Sequence, residues 1–198
     1  MKNEFYELLF CDDIELYKGI EKIYPCLFEQ QAQVEKIQAL LSGRNVESRV
    51  KLLGYSVLRN NNLPLPNAVT TLGAVIELGM EEGLDVLAVY RDYSARYINY
   101  SGKIIIWDSG AKRSFKKLVD KFFAKAEHVV GNERPRENSS PQPPQTGWAR
   151  LSFLTSHGLY LREGMINLLF ADNLSGPVLT IGAEILECLI KAAQTKKS

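Results

Sequence analysis

The side chains that most often carry chemistry are scarce in this chain. Among 198 residues there are two histidines, His128 and His157, and three cysteines, Cys11, Cys26 and Cys188. The cysteines are widely spaced and odd in number, and no CxxC pair occurs, so neither a zinc ribbon nor a redox pair is supported. They read as reduced thiols packed like small hydrophobes, as a cytosolic chain would hold them. An excess of one charge is missing as well: 24 Lys+Arg stand against 23 Asp+Glu. No global field draws the protein to nucleic acid or to an acidic membrane, so any electrostatic preference must be local. No window approaches the roughly 18 apolar residues of a membrane span. The charged start MKNEFYELLFCDD holds no signal-peptide core. The expected location is therefore the cytoplasm, with no membrane partner. Neither a dinucleotide-type glycine fingerprint, a phosphate loop nor a nucleophile elbow is present, so no cofactor is expected.

What the sequence does hold is a change of period. Residues 1–62 read as helical. In CLFEQQAQVEKIQALLSG, Leu27, Gln30, Val34, Ile37, Leu40 and Leu41 fall near helical spacing, with Pro25 in the first turn and Gly43 past the end. Val46, Val50, Leu53, Val57 and Leu58 set a second helix, stopped by Asn60-Asn61-Asn62. Leu63-Pro64-Leu65-Pro66 is an extended connector. From residue 70 the period becomes 2. Strands are expected near 71–79, 84–91, 94–100 and 103–108, joined by breaks short enough to make them antiparallel. Ile104-Ile105-Ile106-Trp107 lacks alternation, which reads as a strand covered on both faces. After Ser109-Gly110, Phe115, Leu118, Val119, Phe122, Phe123 and Ala126 give one apolar helix face over about 112–126. Residues 131–147 carry four prolines and read as a linker. Strands near 148–155, 158–163 and 166–171 follow, then a helix from about 176 to 194, started by Ser175 and Pro177 and ending in a tail that frays.

The two β-rich stretches can be laid over one another. ARYINYSGKIIIWD from Ala95 matches GLYLREGMINLLFAD from Gly158, with Tyr97 on Tyr160 and Asp108 on Asp172. The fold class read from this is α+β over 1–198: N-terminal helices (1–62), a first β-meander plus helix unit (70–130), the Pro-rich linker (131–147) and a second such unit (148–198). The mainly antiparallel sheet has about seven strands, and both later helices are expected on one face. VESRV at 46–50, the Pro-containing connector, GLDVLAVYRDYSARYINYSGKIIIWD and RLSFLTSHGLYLREG together resemble a family of uncharacterised bacterial proteins. That resemblance covers most of the chain from Val46 onward. It implies a bacterial, single-domain protein, and it supplies no activity and no catalytic residue.

No catalytic or metal-binding set emerges. Ser156-His157 sits in an expected hairpin turn, where neighbours point to different sides and do not form a nucleophile–base pair. Asp12-Asp13 with Glu15 has no His or Cys at ligand spacing and reads as a helix N-cap. Two features point to recognition. Tyr90, Arg91, Tyr93, Arg96, Tyr97 and Tyr100 lie within eleven residues. Tyr and Arg are the residues of protein interface hot spots, of base-stacking sheets and of ordinary strand pairs. The 112–125 helix sets Lys112, Arg113, Lys116, Lys117, Lys121 and Lys125 against the single acid Asp120, a solvated face or a docking site for phosphate or an acidic protein. The leading reading is a non-enzymatic interaction or regulatory module with a protein partner. The alternatives are an enzyme built on carboxylates, with Asp85, Asp92, Asp108 and Asp172 as candidates, and a weak single-stranded nucleic-acid binder.

Overall fold

A computed structural model of the chain describes residues 4–29, 31–108, 113–136 and 142–195. The element order is α1 (Glu4–Glu7), α2 (Val34–Ser42), α3 (Ser48–Asn60), β1 (Thr71–Met80), β2 (Gly83–Tyr90), β3 (Ala95–Ile98), β4 (Ile104–Trp107), α4 (Arg113–Val130), β5 (Trp148–Thr155), β6 (Gly158–Met165), α5 (Ile166–Ala171) and α6 (Ser175–Thr195), with tight helical turns at Ile14–Ile20 and Pro25–Leu27. Asp13 caps the first of those turns by accepting from the Glu15 N–H at 2.9 Å. The helix expected through the twenties is shorter than its periodicity implied. Pro25 opens only a single turn, and α2 begins at Val34. Position Gln30 of that expected helix lies outside the described residues. Asn61 ends α3: its side-chain amide donates to the Val57 carbonyl at 2.9 Å, and Asn62 takes a φ of 54°.

All sheet pairings are antiparallel, in the order β4-β3-β2-β1-β5-β6. An antiparallel bridge from Arg136 to Leu159 adds one more short segment beside β6. Alternation along the strands sends two sets of side chains to opposite faces. Ala74, Ile76, Leu87, Val89, Leu151 and Phe153 meet Phe115, Val119, Phe122 and Phe123 of α4 and Val178, Ile185 and Leu189 of α6. The two long helices therefore share one face, as their single apolar stripes require. Gly182 lets α6 approach β1, since a Cβ there would lie 2.5 Å from Ile76 Cδ1. On the other face Val75, Val86, Ala88, Tyr90 and Leu154 meet Leu9, Phe10 and Leu27 of the N-terminal region, Ile37 of α2 and Leu53 and Val57 of α3.

Two sequence expectations are corrected. Residues 166–171, expected as a strand, form α5. A helix here buries Leu169 against the core while Leu168 and Phe170 turn outward, whereas a strand would lie at the outer edge of β6 with little to pair. The likeness of the two β-rich stretches stops at that point. Strand β4, expected to be covered on both faces, is an edge strand whose Ile104 and Ile106 are 40% and 58% exposed. The Ser109-Gly110 loop and the C-terminal tail beyond Thr195 lie outside the described residues. So do residues 137–141, the centre of the Pro-rich segment. The ends of that segment rest on the sheet: the Gln142 carbonyl accepts from Arg150 at 2.6 Å, and a Cβ on Gly79 would collide with the Gln145 carbonyl.

The three cysteines are unpaired. Cys11 is buried, and desolvation pushes its thiol up to about 12. Cys188 is exposed on α6. Mass spectrometry after brief maleimide treatment of the native protein is expected to show Cys188 modified and Cys11 untouched until denaturant is added. Rapid native labelling of Cys11 would show that the N-terminal layer opens readily.

Candidate functional site

Strand alternation divides the Tyr/Arg hairpin between the two faces of the sheet. Tyr90 is fully buried, and its hydroxyl donates to the Leu9 carbonyl at 2.8 Å. It is a core residue that fastens the N-terminal segment, which corrects its reading as a surface contact. Arg91 stacks on Phe123 at 4.5 Å and pairs with Glu127. Tyr93, with a φ of 69°, carries the Lys116 ammonium 5.1 Å from its ring centre. Arg91 and Tyr93 thus tie the β2–β3 turn to α4. Tyr97 donates to Asp85 Oδ2 at 2.9 Å, and Asp85 Oδ1 accepts from the Tyr100 N–H at 2.8 Å. Burial, then Asp85, pushes the Tyr97 hydroxyl's pKa up. Tyr100 is exposed. The four tyrosines share no open face, so they form no stacking platform of the kind single strands need. Arg113, Lys116 and Lys117 stand on the exposed side of α4, and Lys112 lies outside the described residues.

The candidate acids are dispersed as well. Asp92 accepts from the Ser48 N–H at 2.7 Å and the Ser94 hydroxyl at 2.7 Å. Asp108 accepts from Arg96 at 2.6 Å, and Asp172 from Arg162 at 2.9 Å while capping α6 through the Ser175 N–H. The expectation that Ser156 and His157 point apart is wrong. Ser156 Oγ lies 2.9 Å from His157 Nδ1, in the tight turn that ends at Gly158 (φ 108°). The hydroxyl is nevertheless fully buried and also accepts from the Thr70 N–H at 3.0 Å. That environment suits a structural bond, not a nucleophile that must meet substrate.

What the fold does assemble is a groove of about 200 Å³ between the N-terminal layer and the inner side of the β3–β4 hairpin. Phe5 and Leu9, Arg49 of α3, and Tyr90, Arg96, Ile104 and Ile106 of the sheet line it. Arg49 lies 5.9 Å from the Tyr90 ring centre and donates to Glu47 at 3.0 Å. The Arg96 guanidinium is nearly buried and donates to the Ala95 and Trp107 carbonyls at 2.9 Å each. Two cations thus flank an apolar trough.

The backbone beside the trough is open. The Asn99 N–H donates to the Lys103 carbonyl at 3.0 Å. In an antiparallel ladder bonded and non-bonded pairs alternate, so with the register Tyr97↔Ile105 and Ala95↔Trp107 those residues face β3. Ile104 and Ile106 therefore turn their N–H and C=O groups away from the sheet. Among the described residues no strand pairs with this edge. Sequence reasoning marked Tyr90 and Arg96 but missed Phe5, Arg49, Ile104 and Ile106. The only available signal was the unbroken IIIW run, which fits an uncovered edge as well as a fully covered strand. No protein-family model matches the chain, and no curated protein matches it. Among the described residues no helix is long and apolar enough to cross a membrane.

Proposed function

We propose that the protein is a non-enzymatic interaction module whose β4 edge accepts an extended segment of a protein partner. The observation that supports this is the pairing of an open edge backbone with exposed Ile104 and Ile106 beside a trough flanked by Arg49 and Arg96. Strand addition draws its affinity from main-chain hydrogen bonds and its specificity from the pockets beside the edge. The ligand chemistry that fits is alternating apolar residues with an acidic side chain placed to meet the arginines. Three unpaired cysteines, one of them buried, suit a reducing compartment.

A random-peptide display selection tests this directly. The expected enrichment is for short segments of alternating β-branched residues with at least one Asp or Glu. Binding of the selected peptides should fall at least about tenfold in Arg49→Glu and in Ile106→Lys, in line with lost hot-spot contacts. A selection without enrichment, or peptides that bind both variants as well as the parent, would remove the reading.

A further inference from the structure

We propose that the segment taken up by β4 is β4 of a second copy of this chain. The inference rests on the reading of β4 as an open edge, and it names the occupant.

Symmetry and side-chain orientation fix how two such edges can meet. Two antiparallel neighbours related by a twofold axis perpendicular to the sheet keep their faces aligned, so residues opposite each other must point to the same side. Outward-turned N–H and C=O groups must also face one another. Centring the axis on Ile105 meets both conditions. Ile104 then lies opposite the partner's Ile106, and Ile106 opposite the partner's Ile104. Both members of each pair turn their backbone outward. The junction closes through about four inter-chain hydrogen bonds, two for each bonded pair.

The side chains in that register are self-complementary. Ile104 and Ile106 carry most of the apolar surface exposed on the strand. Opposite their counterparts they form a cluster of branched side chains, the cross-strand pairing that sheets favour. Phe5, 60% exposed at the mouth of the same groove, lies on that face in both copies. Charge also selects this arrangement. The strand is preceded by Lys103 and followed by Asp108, both exposed. Antiparallel pairing sets Lys103 opposite the partner's Trp107 and one position from the partner's Asp108, which also accepts from Arg96 of its own chain at 2.6 Å. Parallel pairing would set like charges side by side.

The other registers do worse. Moving the axis to Ile106 sets Ile104 against the partner's Asp108. Moving it to Ile104 leaves Ile106 opposite the Ser101-Gly102 turn. A four-residue strand buries little area, so the dimer is expected to be weak and dependent on concentration.

The test uses the full chain. Sedimentation equilibrium over a wide concentration range should show the mass climbing from monomer toward dimer. Ile106→Lys, folded by its thermal melt, should stay monomeric. In a Cys26→Ser, Cys188→Ser background, Ile105→Cys should give a disulfide-linked dimer on mild oxidation, because Ile105 meets its own counterpart across the axis at a non-bonded pair, where Cβ atoms come closest. Met80→Cys, more exposed than position 105 and at a distant turn, should not cross-link above background. A chain that stays monomeric and fails to cross-link through Ile105→Cys while still binding selected peptides would overturn the second copy and leave the edge reading standing. Failure of both would overturn the edge reading itself. A dimer that survives Ile106→Lys and does not cross-link at position 105 would place self-association elsewhere and overturn this proposal.

Discussion

Replacing Arg150 with Ala is expected to cost about 3–5 kcal/mol of folding stability, the loss typical of a buried ion pair left with one member. Arg150 is 4% exposed at the centre of a three-strand polar ladder. Register places it opposite Glu77 of β1 and Glu163 of β6. Its guanidinium lies 3.6 Å from Glu77, donates to Glu163 at 2.9 Å and to the Gln142 carbonyl at 2.6 Å. Glu77 is fully buried and accepts from the Tyr6 hydroxyl at 2.6 Å. Burial raises the Glu77 pKa, while Tyr6 and Arg150 pull it back.

The sign of the pH effect follows from that direction. An acid whose folded-state pKa is raised contributes stability that is fully present below its unfolded pKa and is lost as pH rises through the folded value. Removing Arg150 raises the Glu77 pKa further. The variant should therefore be weakest at neutral and alkaline pH and should recover part of the loss in mild acid. Glu77→Gln in the Arg150→Ala background should restore stability at neutral pH. Urea denaturation at two pH values measures all three chains. Equal losses at both pH values, or no rescue by Glu77→Gln, would show that the damage lies in packing and not in an orphaned carboxylate.

Deleting residues 1–62 is expected to abolish cooperative folding. The deletion uncovers Val75, Val86, Ala88, Tyr90 and Leu154 across the middle of the sheet, and at roughly 25 cal/mol per Å² such apolar area outweighs the net stability of a typical domain. It also removes the Leu9 carbonyl that accepts from the Tyr90 hydroxyl and the Tyr6 hydroxyl that donates to Glu77, two hydrogen bonds that fasten the N-terminal layer to the sheet. The product should aggregate, or bind a hydrophobic dye and melt without a transition. A fragment 63–198 that stays in solution and melts sharply would show that the N-terminal helices form a unit of their own.

Much of the fold follows from local pattern. The switch from a 3.6 to a 2.0 period at residue 70 marks where helices give way to strands, and short polar breaks force each next strand to turn back antiparallel. The stripe Phe115, Val119, Phe122 and Phe123 demands one apolar partner surface, as does Val178, Ile185 and Leu189. These features come from side-chain spacing along the chain, so sequence alone determines them.

Other features depend on what each segment meets. INLLFA at 166–171 satisfies a strand or a helix by composition, and only the position after β6 favours the helix that buries Leu169. The Ile104–Trp107 run looks the same whether its second face is covered or open. Its place at the end of the strand order, far from β5 and β6, decides that it is open. The Glu77–Arg150–Glu163 ladder joins residues 73 and 13 positions apart through register alone. The Tyr/Arg hairpin is divided because alternation sends Tyr90 and Arg96 to one face and Tyr97 to the other. The groove arises because Phe5, Arg49 and Ile106 converge from three distant segments. Spacing along a chain specifies which way a side chain points; which neighbour it then meets is set by strand order and layer packing, and these exist only in the folded molecule.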